Sequence, residues 1–271
     1  MSIELKTNRC VTQYTNSYLK SLQRSLTIRT DDTIVICLTA LAAVVYFFLL
    51  ISFTDLYLIP KYHSTTMTDY IILNLYLASA FQASFLNWIY HMFKSHSSLK
   101  ATQWKNINLY GMVTYLVSSA ISLLYYGFYD NVFYFKLLTI MTFLLNLIMV
   151  ILINLHDDKH QTQSYRLFLV IFITILIVMP LSVSYWQFGL QKIQSKIDLP
   201  LLLMEIIGYI ISGILYINRI PEKLGLSRSF TITGYYTVII ITSFIHFKVL
   251  LNSFVMMRIG LNKPTLINFD S

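Results

Sequence analysis

Polar and apolar positions along this chain do not alternate with the short period of a strand. They segregate into long apolar runs separated by brief polar stretches. Seven runs stand out, at about Thr33–Thr54, Tyr70–Phe93, Ile107–Phe128, Val132–Leu155, Leu167–Phe188, Leu199–Asn218 and Phe230–Met257. A helix needs about 20 mostly apolar residues to cross a bilayer, whereas a barrel strand needs about ten and alternates. The runs therefore predict an all-α integral membrane protein built as a seven-transmembrane helix bundle. Only Tyr129–Asn131 separates the third run from the fourth, which predicts antiparallel neighbours there. The chain divides into a polar tail over 1–32, a membrane domain over 33–257 and a short C-terminal tail over 258–271. Within the first tail, "NSYLKSLQRSLTIRT" places Tyr18, Leu19, Leu22 and Leu26 on one helical face and Lys20 and Arg24 off it. That is the pattern of a short helix at a membrane surface; a disordered tail is the alternative. Thr30, Asp31 and Asp32 supply an N-cap for the first spanning helix.

Composition agrees with the runs. Of 271 residues, 56% are hydrophobic and 12% charged, about half the charged share of a soluble domain. So little polar surface cannot cover a globule in water. The first thirty residues carry Lys6, Arg9, Lys20, Arg24 and Arg29 and lack the apolar centre of a signal peptide, so the tail is expected to stay in the cytosol. With the N-terminus inside, thirteen of the twenty Lys and Arg residues fall in cytosolic segments and five in outer ones, Lys136 and Lys248 lying within runs. The positive-inside tendency then places the C-terminus outside. It also accounts for the net charge of +8, as basic residues facing an anionic leaflet. No basic cluster is interleaved with stacking aromatics, which argues against a nucleic-acid partner. The two cysteines, Cys10 and Cys37, form neither a disulfide framework nor a zinc motif. No phosphate-binding glycine loop and no HExxH occurs.

Chemistry must then come from polar residues at membrane depth, where each charge costs about 2.5–3.5 kcal/mol on insertion scales. Glu205, six residues into the sixth run, is the only acidic side chain well inside any run. Lys136 and Lys248 are the cations available to pair with it, and a protonated carboxyl in a polar pocket is the other reading. His246 and Lys248 are two apart and cannot share a helix face. In "NWIYHMFKSH", His91 closes the second run and His96 follows five residues later. Two histidines on a helix chelate one metal most readily at i, i+4, so any metal partner of His91 must come from another helix.

Several stretches resemble the progestin and adipoQ receptor (PAQR) family, which includes adiponectin receptors, hemolysin-III-type proteins and the fungal Izh-type proteins linked to zinc homeostasis. "YINRIPEKLGLSRSF" (Tyr216–Phe230), with its Arg219-Ile220-Pro221-Glu222 motif, leads into a run containing "FIHF" (Phe244–Phe247), as at that family's sixth-to-seventh helix junction. Glu205, Tyr209, Gly213 and Tyr216 resemble fungal and plant members; "LLYYGFY" (Leu123–Tyr129) and "HMFKSHS" (His91–Ser97) resemble the ends of the third and second helices. "FTDLYLIP" (Phe53–Pro60) and "LNKPTLINF" (Leu261–Phe269) are most similar to the divergent Izh-type branch. The likeness covers about residues 20–260. It implies seven helices, a cytosolic N-terminus and a location in the endoplasmic reticulum or plasma membrane.

The resemblance also implies a zinc site, with one histidine on the second helix and two, four residues apart, on the seventh. His91 matches the first; counting back from His246 and Phe247, the others fall on Ile232 and Tyr236. Isoleucine cannot ligate zinc and tyrosine is a poor ligand. The family's serine one turn before the first histidine falls on Asn87, and the aspartate that holds the zinc-bound water falls on Asn108, which is no general base. His91 is thus the surviving third of a metal site, with zinc expected to be absent or weakly held. His96, Asn87 or Asn108 would have to rebuild the site. The expected function is a non-catalytic or degenerate receptor-like regulator in zinc and lipid or sterol homeostasis. Its partners would be membrane lipids (sterol or sphingolipid) and cytosolic proteins. The alternatives are the family's zinc amide hydrolase acting on ceramide, through a rebuilt site, and an ion or metal transporter using Glu205, Lys136 and Lys248.

Overall fold

A computed structural model describes residues 17–27, 33–58, 61–62, 65–155, 163–218 and 228–262. Within them the chain forms eight α-helices: α1 (Tyr18–Thr27), α2 (Thr33–Ser52), α3 (Met67–Phe93), α4 (Ser98–Phe128), α5 (Val132–Leu155), α6 (Gln163–Gln194), α7 (Leu199–Asn218) and α8 (Arg228–Asn262). A π-helical segment, Phe53–Leu58, prolongs α2. The tail's Cys10, the expected cap at Thr30–Asp32, the motif Arg219–Glu222 and the stretch after Asn262 lie outside the described residues.

Exposure is inverted relative to a water-soluble fold. Leu41 and Phe48 on α2 are 62% and 63% exposed, and Phe143 and Leu144 on α5 are 54% and 56% exposed. Ser118, Ser119, Ser122, Thr142, Glu205 and His246 are buried. Large apolar side chains line the outside while these polar side chains turn inward, the arrangement that hydrocarbon surroundings require. Buried hydroxyls on these helices bond back to their own turn: Thr39 to the Val35 carbonyl (2.8 Å), Thr142 to Leu138 (2.8 Å) and Ser122 to Ser118 (2.7 Å). By length and composition, Thr33–Leu58, Ser98–Phe128, Val132–Asn154 and Ile232–Arg258 can each cross a membrane. Helix α3 is long enough at 27 residues, but Asn74, Gln82 and Asn87 dilute its apolar content.

Helix ends follow local chemistry more than the apolar runs do. Helix α3 starts at Met67 because Thr66 and Asp69 form a capping box. The Thr66 N–H donates to Asp69 Oδ2 (2.9 Å), and the Asp69 N–H donates to Thr66 Oγ1 (3.4 Å). The same fully buried Asp69 pairs with Arg258 of α8 and accepts from the Tyr125 hydroxyl of α4 (3.1 Å). One carboxylate therefore ties three helices at one end of the bundle. Arg258, expected to open the C-terminal tail, is part of that tie, since α8 continues to Asn262. The connection 129–131 joins α4 to α5 as expected, and its Asp130 pairs with Lys196 and Lys192. Burial alone would raise the Asp130 carboxyl; the two ammonium groups outweigh it and hold it below the ordinary carboxylate value. Burial also lowers Lys196, against the pull of Asp130.

Helix α3 packs between α2 and α4, while α8 lies along α7 and also touches α2, α4 and α3. Helix α6 carries Pro180 and is interrupted at Gly189, whose φ of 70° suits glycine. At the α7–α8 seam, a side chain at Gly208 would collide with Thr242, so glycine there sets how closely the two backbones approach. The tail helix α1 docks on the opposite end of the bundle. Ser21 makes a buried contact there, its hydroxyl donating to the Met92 carbonyl (3.0 Å). Tyr18 packs edge-on to Phe93 (5.3 Å) and against His96 (4.2 Å), while Leu19 points outward.

Candidate functional site

The structure gathers the polar residues into two clusters at different depths on α8. The first sits at the 94–97 end of the bundle. His91, in the last turn of α3, is buried, and its Nε2 lies 3.0 Å from the Tyr236 hydroxyl on α8. The phenol ring stands edge-on to the imidazole at 5.1 Å. One turn before His91, the Asn87 carbonyl oxygen accepts from the Asn108 amide of α4 (3.2 Å). His91 with Tyr236, and Asn87 with Asn108, are thus brought together across three helices, while Ile232 lies one turn before Tyr236 on α8. His96 is not drawn in; it lies in the 94–97 turn against Tyr18 of α1.

This donor set does not fit a zinc ion. It offers one imidazole whose Nε2 is engaged by a phenol, two neutral amides bonded to each other, and an isoleucine without any donor atom. Among the described residues no three His, Cys, Asp or Glu side chains converge, and zinc sites need three or four protein ligands. Two hydrogen bonds engage His91 Nε2 and the paired amides instead, each contributing about 0.5–1.5 kcal/mol.

The second cluster lies about 15 Å further along α8, ten residues on at 1.5 Å per residue. His246 Nδ1 is 2.8 Å from Glu205 Oε1 on α7, and His246 Nε2 is 2.8 Å from Ser119 Oγ on α4. All three are buried, His246 to 1% exposure, Glu205 to 4% and Ser119 to 5%. A carboxylate can only accept, so in the neutral imidazole Nδ1 carries the proton and Nε2 accepts from the serine hydroxyl. The ring also packs against Tyr76 (5.0 Å). That tyrosine donates to the Ser243 carbonyl (2.6 Å), and Tyr46 shares a hydrogen bond with the Ser243 hydroxyl (2.6 Å). Two side chains expected as partners of Glu205 are elsewhere: Lys136 and Lys248 are both exposed on their helices. Histidine takes their place because the face of α8 that meets α7 carries His246, and Lys248, two residues on, points away.

Sequence reasoning singled out Glu205 but missed Ser119 and did not join His246 to it. A signal was present: Ser118, Ser119 and Ser122 interrupt an otherwise apolar run. An apolar cleft opens on this cluster, lined by Leu116, Leu123, Leu176, Leu202 and Ile206 together with Tyr209.

Comparison with known proteins agrees with this all-helical architecture. A family described as Haemolysin-III related matches residues 29–257. An ADIPOR-like receptor of Saccharomyces cerevisiae, IZH4, is 33% identical over 255 residues, covering 89% of this chain and 80% of the relative. A second, IZH1 of Eremothecium gossypii, is 26% identical over 263 residues, covering 94% of this chain and 82% of the relative. A third, IZH2 of Saccharomyces cerevisiae, is 27% identical over 208 residues, covering 74% and 65%. The chain is an integral membrane protein and belongs to the haemolysin-III-related family, among its fungal ADIPOR-like receptors of the PAQR type.

Proposed function

We propose that this chain is a receptor-type regulatory protein of zinc and lipid or sterol homeostasis in which the family's metal chemistry has been given up. It would cross the membrane seven times, with α1 and the 94–97 turn on the cytosolic side and the C-terminus outside. The observation that carries the reading is the hydrogen bond between His91 and Tyr236. It satisfies the metal-ligating position with a neutral phenol, and the neighbouring Asn87–Asn108 pair replaces a carboxylate that could activate water. A zinc-dependent amide hydrolase finds no support in that donor set. The regulatory reading draws on the relatives, whose names describe receptors, and on α1, which presents a docked cytosolic surface to partners.

Metal content of the purified full-length protein tests the loss of metal chemistry. Zinc well below one per chain is expected, unchanged in His91→Ala; one zinc per chain, lost in that variant, would overturn it. For the regulatory role, deleting the gene should alter zinc-responsive transcription or growth between zinc-poor and zinc-rich media. Identical behaviour in both media would remove that role. Glycosylation sites placed in the 129–131 connection and after Asn262 should be modified if both face away from the cytosol.

A further inference from the structure

Three features set the Ser119–His246–Glu205 cluster apart from ordinary buried polar residues. First, the three side chains stand in one line, hydroxyl to imidazole to carboxylate, at 2.8 Å per contact, the arrangement that activates a serine nucleophile. Second, Ser119 departs from its neighbours. Ser118 and Ser122 on the same helix bond back to their own turn, at 3.0 Å to Tyr115 and 2.7 Å to Ser118, and Ser118 also shares a hydrogen bond with the Ser79 hydroxyl of α3, whereas the Ser119 hydroxyl pairs with an imidazole. Third, polar atoms at the site are left over. Glu205 Oε2 and the neighbouring hydroxyls of Tyr209 and Tyr115 are buried, and none of the three makes a well-formed hydrogen bond to another protein group. Orphaned buried hydroxyls cost about 1–3 kcal/mol each, so their retention points to a ligand or water that completes them.

We propose that Ser119, His246 and Glu205 form a metal-independent acyl-transfer site for long-chain carboxylic esters, opening into the apolar cleft between α4, α6, α7 and α8. Ser119 Oγ attacks the ester carbonyl carbon while its proton passes to His246 Nε2, and Glu205 stabilises the resulting imidazolium through Nδ1. The carbonyl π pair moves onto oxygen. A serine inside a helix has no free backbone N–H to receive that charge, so side chains must supply the donors, and the hydroxyl of Tyr209, which lines the same cleft, is one. The tetrahedral adduct then collapses. The bond to the alkyl oxygen breaks, the imidazolium proton goes to the departing alcohol, and the acyl group remains on Ser119. Water is the second reactant. His246 takes one of its protons, its oxygen attacks the acyl carbon, the proton returns to Ser119 and a fatty acid leaves. Leucine and isoleucine make up half of the cleft's lining, and Ser119, Glu205, Tyr209 and His246 are its polar members.

Full-length protein in lipid nanodiscs, treated with a long-chain alkyl fluorophosphonate and analysed by intact and peptide mass, tests the site. One adduct is expected, on the peptide containing Ser119, absent in Ser119→Ala and insensitive to metal chelators. Labelling should slow by about 100-fold or more in His246→Gln, as when the base of such a triad is lost. Ala120→Phe fills the cleft without touching the triad and should slow labelling by about tenfold or more. No adduct on Ser119 in monodisperse protein would make the cluster a structural knot only and overturn the proposal. So would an equal labelling rate in His246→Gln or in Ala120→Phe, which would separate the reaction from the histidine or from the cleft. Because the labelling needs no bound metal, this outcome is independent of the His91 position.

Discussion

His91 and His246 are both buried, and each joins a polar cluster on α8, His91 through Tyr236 and His246 as part of that helix. They differ in what surrounds them. His91 Nε2 meets a phenol, and the two amides beside it bond to each other. His246 is held at both nitrogens, by a carboxylate on one side and a hydroxyl on the other. The first arrangement joins an imidazole to a phenol and one amide to another, with no carboxylate in either bond. The second carries an acidic group that burial would otherwise make very costly. Equal burial therefore hides unequal energetic stakes, and substitutions should separate the two.

The largest expected effect is at the inner cluster. His246→Ala leaves the Glu205 carboxyl without its partner in hydrocarbon surroundings and should cost about 3–5 kcal/mol, read as lost thermal stability in detergent. Glu205→Leu combined with His246→Leu should recover most of that loss, because no unpaired polar group remains except the Ser119 hydroxyl, which can bond back to its own helix. A double variant no more stable than His246→Ala would mean that packing, not charge, is what the pair supplies.

The outer cluster can be pushed towards its family's arrangement instead. Ile232→His with Tyr236→His places two histidines four residues apart on the face of α8 that already meets His91. Three imidazoles then converge, and zinc should bind near one per chain. At free zinc about 100 times the dissociation constant, the protein should gain about 2.7 kcal/mol, removable by chelator. No zinc in that variant would show that Asn87 and Asn108, rather than the missing imidazoles, set the limit.

Why the seam of the inner cluster went unread in the sequence is a matter of tertiary geometry. The apolar runs located α5 and α7 at Val132–Leu155 and Leu199–Asn218 because both elements begin and end where their apolar runs do, with one charged residue inside each. Helix α4 begins at Ser98 rather than Ile107, since its first turns are polar and capped by Ser97, whose hydroxyl accepts from the Lys100 N–H (3.3 Å). A hydropathy pattern cannot see such an extension. The outer pairs were legible through the family's spacing, which set His91 against Tyr236 and Asn87 beside Asn108. Glu205 was legible as an anomaly, but its partner was not. Nothing in a linear sequence says which face α8 turns towards α7, and that face is what selects His246 over Lys248. Gly208, opposite Thr242 and one turn from the Glu205–His246 contact, is the residue that brings the two helices close enough.

Gly208→Leu tests that role. The new side chain must displace Thr242, and forced overpacking of this kind costs about 1–3 kcal/mol. Its signature is selective: labelling at Ser119 should fall along with stability, because separation of α7 from α8 lengthens the Glu205–His246 contact while the Ser119–His246 contact, made between α4 and α8, is retained. A loss of stability with labelling intact would place the serine's activation in His246 alone.

Tyr236→Phe should have the smallest effect of the set. It removes one neutral hydrogen bond from His91 and keeps the ring that packs against it at 5.1 Å. The expected cost is about 0.5–1.5 kcal/mol, an order below the whole stability of a typical domain, with zinc content and Ser119 labelling unchanged. If instead this variant destabilised the protein as much as His246→Ala, the two histidines would carry equal stakes. The outer cluster would then hold a charge, an imidazolium bonded to the phenol oxygen, rather than the neutral pair its partners describe.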